Sequence, residues 1–116
     1  MNTHRLVLPG DLNEFGFLFG GQLLKWVDEA SWIAASLEYP NCKFVTVGME
    51  DVSFKHFVNE GTILTFESTK VREGKTSITY AVEVHWGRHA DGPVMFSTRV
   101  SFVNVDENGD KQPLKG

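Results

Sequence analysis

The segment Gly21–Leu37 constrains the fold most, because its apolar residues recur with helical spacing over a wide arc. At about 100° per residue, this arc covers roughly half of the helix circumference or more, which is wider than the stripe of an ordinary surface helix. The central line of the arc consists of Leu23, Val27, Ala30 and Ala34. We therefore expect a long helix that other elements wrap on most sides.

The remaining regular segments have the character of strands, most clearly Thr76–Trp86, where apolar and polar residues alternate. The predicted strands are a short His4–Leu8 before the helix and then Phe44–Phe57, Thr62–Arg72, Thr76–Trp86 and Val94–Val105, with turns at Glu73–Lys75 and His89–Pro93. In the strand that begins at Phe44, the alternation changes phase near Glu50 and Asp51. This change predicts a β-bulge or a sharp bend.

One long helix followed by four antiparallel strands is an α+β layout, and a curved sheet around a central helix satisfies both the wide arc and the strand order. The chain has 116 residues, of which 41% are hydrophobic, so we expect a single domain over residues 1–116. A domain of this size buries a limited fraction of its surface, which favours an oligomer.

Composition excludes several classes of protein. The net charge is −4 and no Lys/Arg stripe occurs, which argues against a nucleic-acid-binding protein. No apolar segment has the length of a signal peptide or a membrane span, so we expect a cytoplasmic protein with no membrane partner. The single Cys42 cannot form an intrachain disulfide or a cysteine zinc cluster.

No metal or other cofactor is predicted. The four histidines lack the spacing of metal ligands and are interpreted as surface or strand-pairing residues. Asp106, Asn108 and Asp110 imitate the opening of a calcium loop, but no acidic residue stands at its twelfth position. We interpret that segment as a plain turn.

Asp28 is unexpected in an apolar helix, about two turns beyond Gly20 and Gly21. The glycines leave the N–H groups of the helix start open to a ligand, and the helix dipole gives those groups a partial positive charge. The residue pattern alone leaves two readings of Asp28. It is either a surface charge paired with Lys25 or Lys43, or a functional carboxylate.

Within one chain, Asp28 and the glycines cannot act on the same atom, because seven residues of helix span about 10 Å. A second copy of the helix, packed antiparallel in a dimer, would remove this difficulty. It would bring Asp28 of one subunit toward the helix start of the other.

The stretch from Pro9 to Glu29, P-G-D-L-N-x-x-G-x-x-F-G-G-x-x-x-x-x-x-D-E, resembles the signature of the hotdog-fold acyl-CoA thioesterases, in particular the cytosolic YciA-like acyl-CoA hydrolase group. The resemblance continues in order through FVTVGMEDVSF, REGKTSI, ITYAVEVHW and FSTRVSFVNVDENG, and so covers nearly the whole chain. It implies a hotdog fold and homodimers with active sites at the interface, either alone or assembled as hexamers from three dimers.

The resemblance also implies site residues for the hydrolysis of acyl-CoA to a free acid and CoA. The catalytic carboxylate corresponds to Asp28 and the catalytic asparagine to Asn13, contributed by opposite subunits. The N–H group of Gly21 would polarise the thioester carbonyl, and Asp28 would act as general base or nucleophile. Gly20 and Gly21 match the helix start that faces the thioester, and CoA enters as part of the substrate. Phe19 is a candidate for lining the acyl channel, although core packing explains a phenylalanine there equally well.

The CoA phosphates need cations, and the hairpin after the second long strand offers them. The candidate residues there are Arg72, Gly74, Lys75, Thr76 and Ser77, with Lys55, Arg88 and Arg99 as further candidates. The chain departs from many relatives at His56–Phe57 and at Gly61–Thr62, which affects the expected CoA-binding rim. Two alternatives are a non-catalytic acyl-CoA-binding module and a hotdog dehydratase. The dehydratase lacks support because no histidine lies between residues 5 and 55.

Overall fold

The structure is a computed structural model that describes residues 1–87 and 92–115. Its regular elements are β1 (Asn2–Leu6), α1 (Gly20–Glu38), β2 (Phe44–Phe54), β3 (Ile63–Glu73), β4 (Ser77–Trp86) and β5 (Val94–Asn104), with a single 3-10 turn at Pro9–Asp11. The strands form one antiparallel sheet in the order β1-β3-β4-β5-β2. The predicted α+β layout is confirmed.

Helix α1 packs on the sheet through the face that the sequence predicts. Its buried residues are Leu23, Trp26, Val27, Ala30, Ser31, Ala34 and Ala35. The helix extends one residue beyond the predicted Gly21–Leu37 at each end. It ends where the N–H group of Tyr39 bonds to the carbonyl oxygen of Ala35 at 2.9 Å.

The inner face of the sheet supplies the other half of the core. In β4 the buried residues alternate as predicted, with Ile78, Tyr80, Val82 and Val84 facing the helix. The predicted irregularity in β2 is confirmed, because its register to β5 shifts between Glu50 and Ser53 and Asp51 has a φ of 53°. A bulge at this point bends the strand around the helix.

Each predicted strand differs from the observed one, three of them by a single residue at one or both ends and two by more than one residue. β1 was expected at His4–Leu8 and lies at Asn2–Leu6, because the 3-10 turn begins at Pro9. β2 ends at Phe54 rather than Phe57. Beyond Phe54, the Phe57 ring stacks on Phe17 with 4.8 Å between ring centroids, and this contact belongs to the loop before the helix. Residues 88–91 of the predicted turn, with the candidate Arg88, lie outside the described residues.

The edge strand β2 exposes apolar side chains. Val45 and Val47 are 41% and 59% exposed, and no other described strand pairs with the outer edge of β2. The apolar side chains that alternate along this part of β2 are therefore not covered by another described strand of the same chain. An open edge with apolar side chains is a site of association with another strand.

The C-terminal tail folds back on the sheet through Asn104, which is fully buried. The Asn104 side chain accepts a hydrogen bond from the N–H group of Lys43 at 2.8 Å and donates one to the carbonyl oxygen of Pro113 at 2.8 Å. In the intervening turn, the Asp106 carboxylate accepts the N–H groups of Asn108 and Asp110. The tail thus forms a closed turn, as predicted.

Candidate active site

The start of α1 presents two N–H groups to its surroundings. The N–H groups of Gln22 and Leu23 both bond to the carbonyl oxygen of Phe19, at 3.0 and 3.1 Å, and no side chain caps the helix. Among the described residues, the N–H groups of Gly20 and Gly21 have no acceptor. They are the donors expected at a helix N-terminus, and they can bind an oxygen that carries negative charge.

The two glycines of the helix start meet different neighbours. A Cβ atom at Gly20 would lie 3.6 Å from the ring of Phe54, which is ordinary contact. A Cβ atom at Gly21 would lie 2.9 Å from the ring of Phe19, so a side chain there would displace that ring. The predicted acyl contact Phe19 therefore covers Gly21 directly, while Gly20 faces β2.

Asn13 is held by the loop that precedes the helix. Its Oδ1 atom accepts the N–H groups of Phe15 at 2.9 Å and of Phe17 at 3.1 Å. Its own N–H group bonds to the carbonyl oxygen of Phe17 at 2.7 Å. Among the described residues, the Nδ2 group donates no hydrogen bond, so it remains available to a ligand.

A cavity of about 450 Å³ joins Asn13 to the helix start. Its walls consist of Asn13, Leu18, Gly20, Leu23, Phe54, Lys55, His56, Phe57 and Val58. The structure thus places Asn13 and Gly20 on one cavity and adds the end of β2, whereas Gly21 and Phe19 are not among its lining residues. Sequence reasoning noted His56 and Phe57 only as departures from relatives. The apolar residues next to His56 and Phe57 in the sequence are the feature from which a pocket wall could have been predicted.

Asp28 lies outside this cavity, toward the edge strand β2. The hydroxyl group of Thr46 donates a hydrogen bond of 2.7 Å to Asp28 Oδ1. No ion pair to Lys25 or Lys43 forms within residues 1–87 and 92–115. Within one chain, Asp28 is therefore neither a partner of a lysine nor a neighbour of Asn13.

The candidate CoA-binding hairpin lies at the other end of the helix. The Tyr39 hydroxyl group, just after α1, donates to the Glu73 carboxylate at the end of β3. The helix has 19 residues, which corresponds to about 28 Å between its ends at 1.5 Å per residue. Within one chain, the hairpin therefore does not meet Asn13 or Gly20.

The hairpin itself is tight and partly covered by the tail. Gly74 donates its N–H group to the carbonyl oxygen of Ser77 at 2.8 Å, and Leu114 donates to the carbonyl oxygen of Lys75 at 3.0 Å. A Cβ atom at Gly74 would lie 2.7 Å from Ser77 Oγ, which explains the glycine. The side chains of Lys75 and Arg72 are exposed and can reach a ligand.

Comparisons with known proteins agree with this geometry. The Thioesterase superfamily matches residues 15–92. The chain is 31% identical over 114 residues to the acyl-CoA thioester hydrolase YciA of Salmonella typhimurium, covering 94% of this chain and 85% of that protein. It is 32% identical over 80 residues to acyl-coenzyme A thioesterase 11 of Mus musculus, covering 69% of this chain but 13% of the mouse protein.

A solved structure shows the same fold. Cj0915, a hexameric hotdog fold thioesterase of Campylobacter jejuni, superposes with a TM-score of 0.84 at 35% identity, over 97% of this chain and 88% of that chain. The hotdog fold expected from the sequence is thus confirmed. Because the superfamily match spans more than half of the sequence and the Salmonella relative is 31% identical over 94% of this chain, this chain belongs to the thioesterase superfamily.

Proposed function

We propose that this protein hydrolyses acyl-CoA thioesters to a free carboxylic acid and CoA. The observation that carries the proposal is the pair of N–H groups at Gly20 and Gly21, which have no acceptor among the described residues, together with the cavity that Gly20 and Asn13 both line. Family membership supports the reaction type, and the Salmonella relative bears the name acyl-CoA thioester hydrolase.

The active unit is a homodimer formed along β2. Two contacts support this arrangement: Asp28 bonds to Thr46 in the first half of β2, and Gly20 lies against Phe54 at the end of β2. A two-fold axis near Glu50, midway between Thr46 and Phe54, would pair the two β2 strands antiparallel. That axis would carry each Asp28 toward the cavity of the other subunit. Three such dimers would form a hexamer, the state that the Campylobacter thioesterase has.

During hydrolysis, negative charge develops on the carbonyl oxygen of the thioester, and the site must stabilise it. Water adds to the carbonyl carbon, the carbonyl oxygen becomes negative, and the C–S bond then breaks to release the CoA thiolate. The N–H group of Gly21, with that of Gly20 beside it, stabilises the negative oxygen. One such donor is worth about 3 kcal/mol in a transition state.

Asp28 of the facing subunit completes the site. Two routes are open to it: it removes the proton from the attacking water, or it attacks the carbonyl carbon itself and forms an anhydride that water then hydrolyses. Both routes end with the same acid and thiol. Asn13 Nδ2 orients the water or the carbonyl oxygen, and no metal or other cofactor takes part.

The substrate occupies two regions in this proposal. The acyl chain lies in the apolar cavity near Phe19, with Gly20 at its inner end. The CoA phosphates bind at a hairpin, where Arg72 and Lys75 supply positive charge, and the remaining contacts come from Gly74, Thr76 and Ser77. Antiparallel pairing along β2 favours the hairpin of the facing subunit, because the hairpin of the same chain lies at the far end of the helix.

A cytoplasmic location is part of the same proposal, since CoA thioesters are intracellular metabolites. None of the helices in the described part of the chain combines the length and the apolar character that crossing a bilayer requires.

The decisive experiment measures thiol release from a panel of acyl-CoA substrates, from acetyl- to palmitoyl-CoA, with the purified protein. We expect turnover with at least part of the panel and turnover lower by at least about a hundredfold with the Asp28→Ala variant. Calorimetric titration with the same substrates accompanies the assay. Tight acyl-CoA binding without thiol release would contradict the proposed hydrolytic activity and would support a non-catalytic binding module.

A further inference from the structure

The face of the sheet that points away from α1 carries a cluster of three potential metal ligands: Glu67 on β3 with Glu83 and His85 on β4. Glu67 and Glu83 are direct partners in the antiparallel register, and His85 follows two residues later on the same face as Glu83. One ligand atom from each of the three residues lies within 4.8 Å of the other two. The neighbours Val82 and Val84 face the core, so the cluster is separate from the proposed active site.

His85 is buried and has an unused nitrogen. Its residue is 5% exposed, and the Nδ1 atom lies 2.8 Å from the carbonyl oxygen of Gly92. A carbonyl oxygen only accepts hydrogen bonds, so Nδ1 carries the proton. In the neutral ring Nε2 then presents its lone pair. This atom is buried without a hydrogen-bond partner among the described residues, 3.7 Å from Glu83 Oε1.

This hydrogen bond to Gly92 is the arrangement that metal-binding histidines adopt. Such a histidine almost always donates its other ring N–H group to a carbonyl or carboxylate oxygen, which sets the tautomer and the ring orientation. The His85 ring is therefore oriented for coordination before any ion arrives.

Little positive charge lies beside the two carboxylates: His85 lies 3.7 Å from Glu83, and Arg99 lines the same groove without forming an ion pair with either carboxylate among the described residues. Within residues 1–87 and 92–115, no lysine or arginine lies within ion-pair distance of Glu67 or Glu83. Like charges directly opposite each other on neighbouring strands destabilise a sheet. A cation held between the two carboxylates would remove this repulsion, and it would also occupy the unused nitrogen of His85.

We propose that Glu67, Glu83 and His85 bind a divalent transition metal ion of the Zn²⁺ class. One imidazole and two carboxylates are ligands that zinc accepts, at metal–ligand distances of about 2.0–2.2 Å. Tetrahedral coordination at such distances separates the ligand atoms by about 3.4 Å. The observed Nε2 to Oε1 distance of 3.7 Å is close to this value, and the half-exposed Glu83 side chain has room to move inward.

The two carboxylates of the cluster border an open groove, although His85 is not one of its lining residues. This groove has a volume of about 330 Å³, and Glu67, Glu83 and Arg99 are among its lining residues. A water molecule in the groove completes a four-coordinate ion. Bound in this way, the ion links β3 to β4 on the outer face and stabilises the sheet without entering the hydrolytic reaction.

The spacing of the ligands explains why the sequence did not indicate this site. Glu83 and His85 alternate along one strand, a pattern common in any sheet, and Glu67 reaches them only through the pairing of β3 with β4. The sequence pattern allowed His85 to be interpreted only as a surface or strand-pairing residue, because it does not show the cross-strand neighbours of the histidine.

The test is calorimetric titration of Zn²⁺ into chelator-treated protein that carries no histidine tag. We expect one ion per chain for the wild-type protein and a loss of affinity of at least about a hundredfold in Glu83→Gln and in Glu67→Gln. Loss of a residue that merely orients a ligand already costs about 10–100-fold. Glu107→Gln, an exposed change in the tail turn, is the matched control and retains full affinity.

Thermal denaturation of the same proteins gives a second readout. Zn²⁺ raises the melting temperature of the wild-type protein and of Glu107→Gln but not of Glu83→Gln, because an ion stabilises only the state that binds it. Equal Zn²⁺ affinity in all four proteins would place the ion elsewhere and overturn the site. Absence of Zn²⁺ binding to the wild-type protein would overturn it as well, leaving the Glu83 and His85 contact as an ion pair. Neither outcome concerns thioester hydrolysis, which is measured separately.

Discussion

Asp28 on the helix accepts a hydrogen bond of 2.7 Å from the Thr46 hydroxyl group on the edge strand β2. This contact orients the proposed catalytic carboxylate toward the side of the sheet where a second subunit would pair. Only Oδ1 takes part in it. Among the described residues, Oδ2 accepts no hydrogen bond, so it remains available for a proton or a carbonyl carbon.

Replacement of Asp28 by alanine should abolish most of the activity without unfolding the protein. A general base contributes about 10²–10⁴ in rate, so turnover should fall by at least about a hundredfold. Thiol release at saturating acyl-CoA measures the loss, and size-exclusion chromatography with light scattering checks the oligomer. Glu29→Ala is the matched control, because Glu29 lies beside Asp28 but pairs with Arg5 on the exposed side of the helix. Near-normal turnover in Asp28→Ala would remove this carboxylate from the mechanism.

Replacement of Thr46 by valine keeps the shape of the side chain and removes its hydrogen bond to Asp28. A hydrogen bond to a charged group contributes about 1.5–3 kcal/mol, so kcat should fall by at least about tenfold while KM changes little. Thr46→Ser retains the hydroxyl group and should restore the activity. If serine is no better than valine, Thr46 acts through packing and does not position the carboxylate.

Two substitutions of Asn13 separate its role in the loop from its role in the reaction. Asn13→Asp keeps an oxygen that accepts the N–H groups of Phe15 and Phe17, but it loses the Nδ2 donor. We expect an unchanged melting temperature and a fall in kcat of at least about tenfold, the value of one lost hydrogen bond at 1.4 kcal/mol. Asn13→Ala should lose both stability and activity. Full activity in Asn13→Asp would limit Asn13 to a structural role.

The sequence predicts the elements of the molecule well because their signals are local. The wide apolar arc around Val27 predicts the buried helix face, and the change of phase near Asp51 predicts the bulge in β2. The resemblance located Asn13 and Gly20, which the loop and the helix start bring to one cavity.

The parts that escaped prediction depend on residues far apart in the chain. Three features arise only after β2 and β5 pair. They are the hydrogen bond from Thr46 to Asp28, the cavity wall at Phe54 and the attachment of the tail through Asn104. The alternation along β2 places Val47 on an apolar face of the strand. The sequence does not show which chain covers that face. Cross-strand and cross-subunit neighbours are set by register and symmetry, which a single sequence does not display.

A charge on the open edge of β2 should separate the subunits. Val47 is 59% exposed in the single chain, and Val47→Glu would place a charge inside the proposed interface, three residues from the two-fold axis at Glu50, where Glu50 and Asp51 already carry like charge. We expect a monomer by light scattering and turnover as low as in Asp28→Ala, because Asp28 would no longer reach the facing cavity. Val71→Glu is the matched control, since Val71 is 47% exposed on β3, away from this edge. An active monomer would contradict a site shared between subunits.

Replacement of Asn104 by alanine should destabilise the fold more than any exposed asparagine does. The change leaves the N–H group of Lys43 and the carbonyl oxygen of Pro113 without their partner beneath the tail. An unsatisfied buried polar group costs about 1–3 kcal/mol, so the melting temperature should fall by at least about 5 °C. Thermal denaturation at a fixed protein concentration measures the shift, because association also changes the apparent stability. Asn108→Ala in the exposed turn is the control and should leave the melting temperature unchanged. Equal melting temperatures of the two variants would mean that the tail contributes nothing to the folded state, and that Asn104 is buried there without anchoring it.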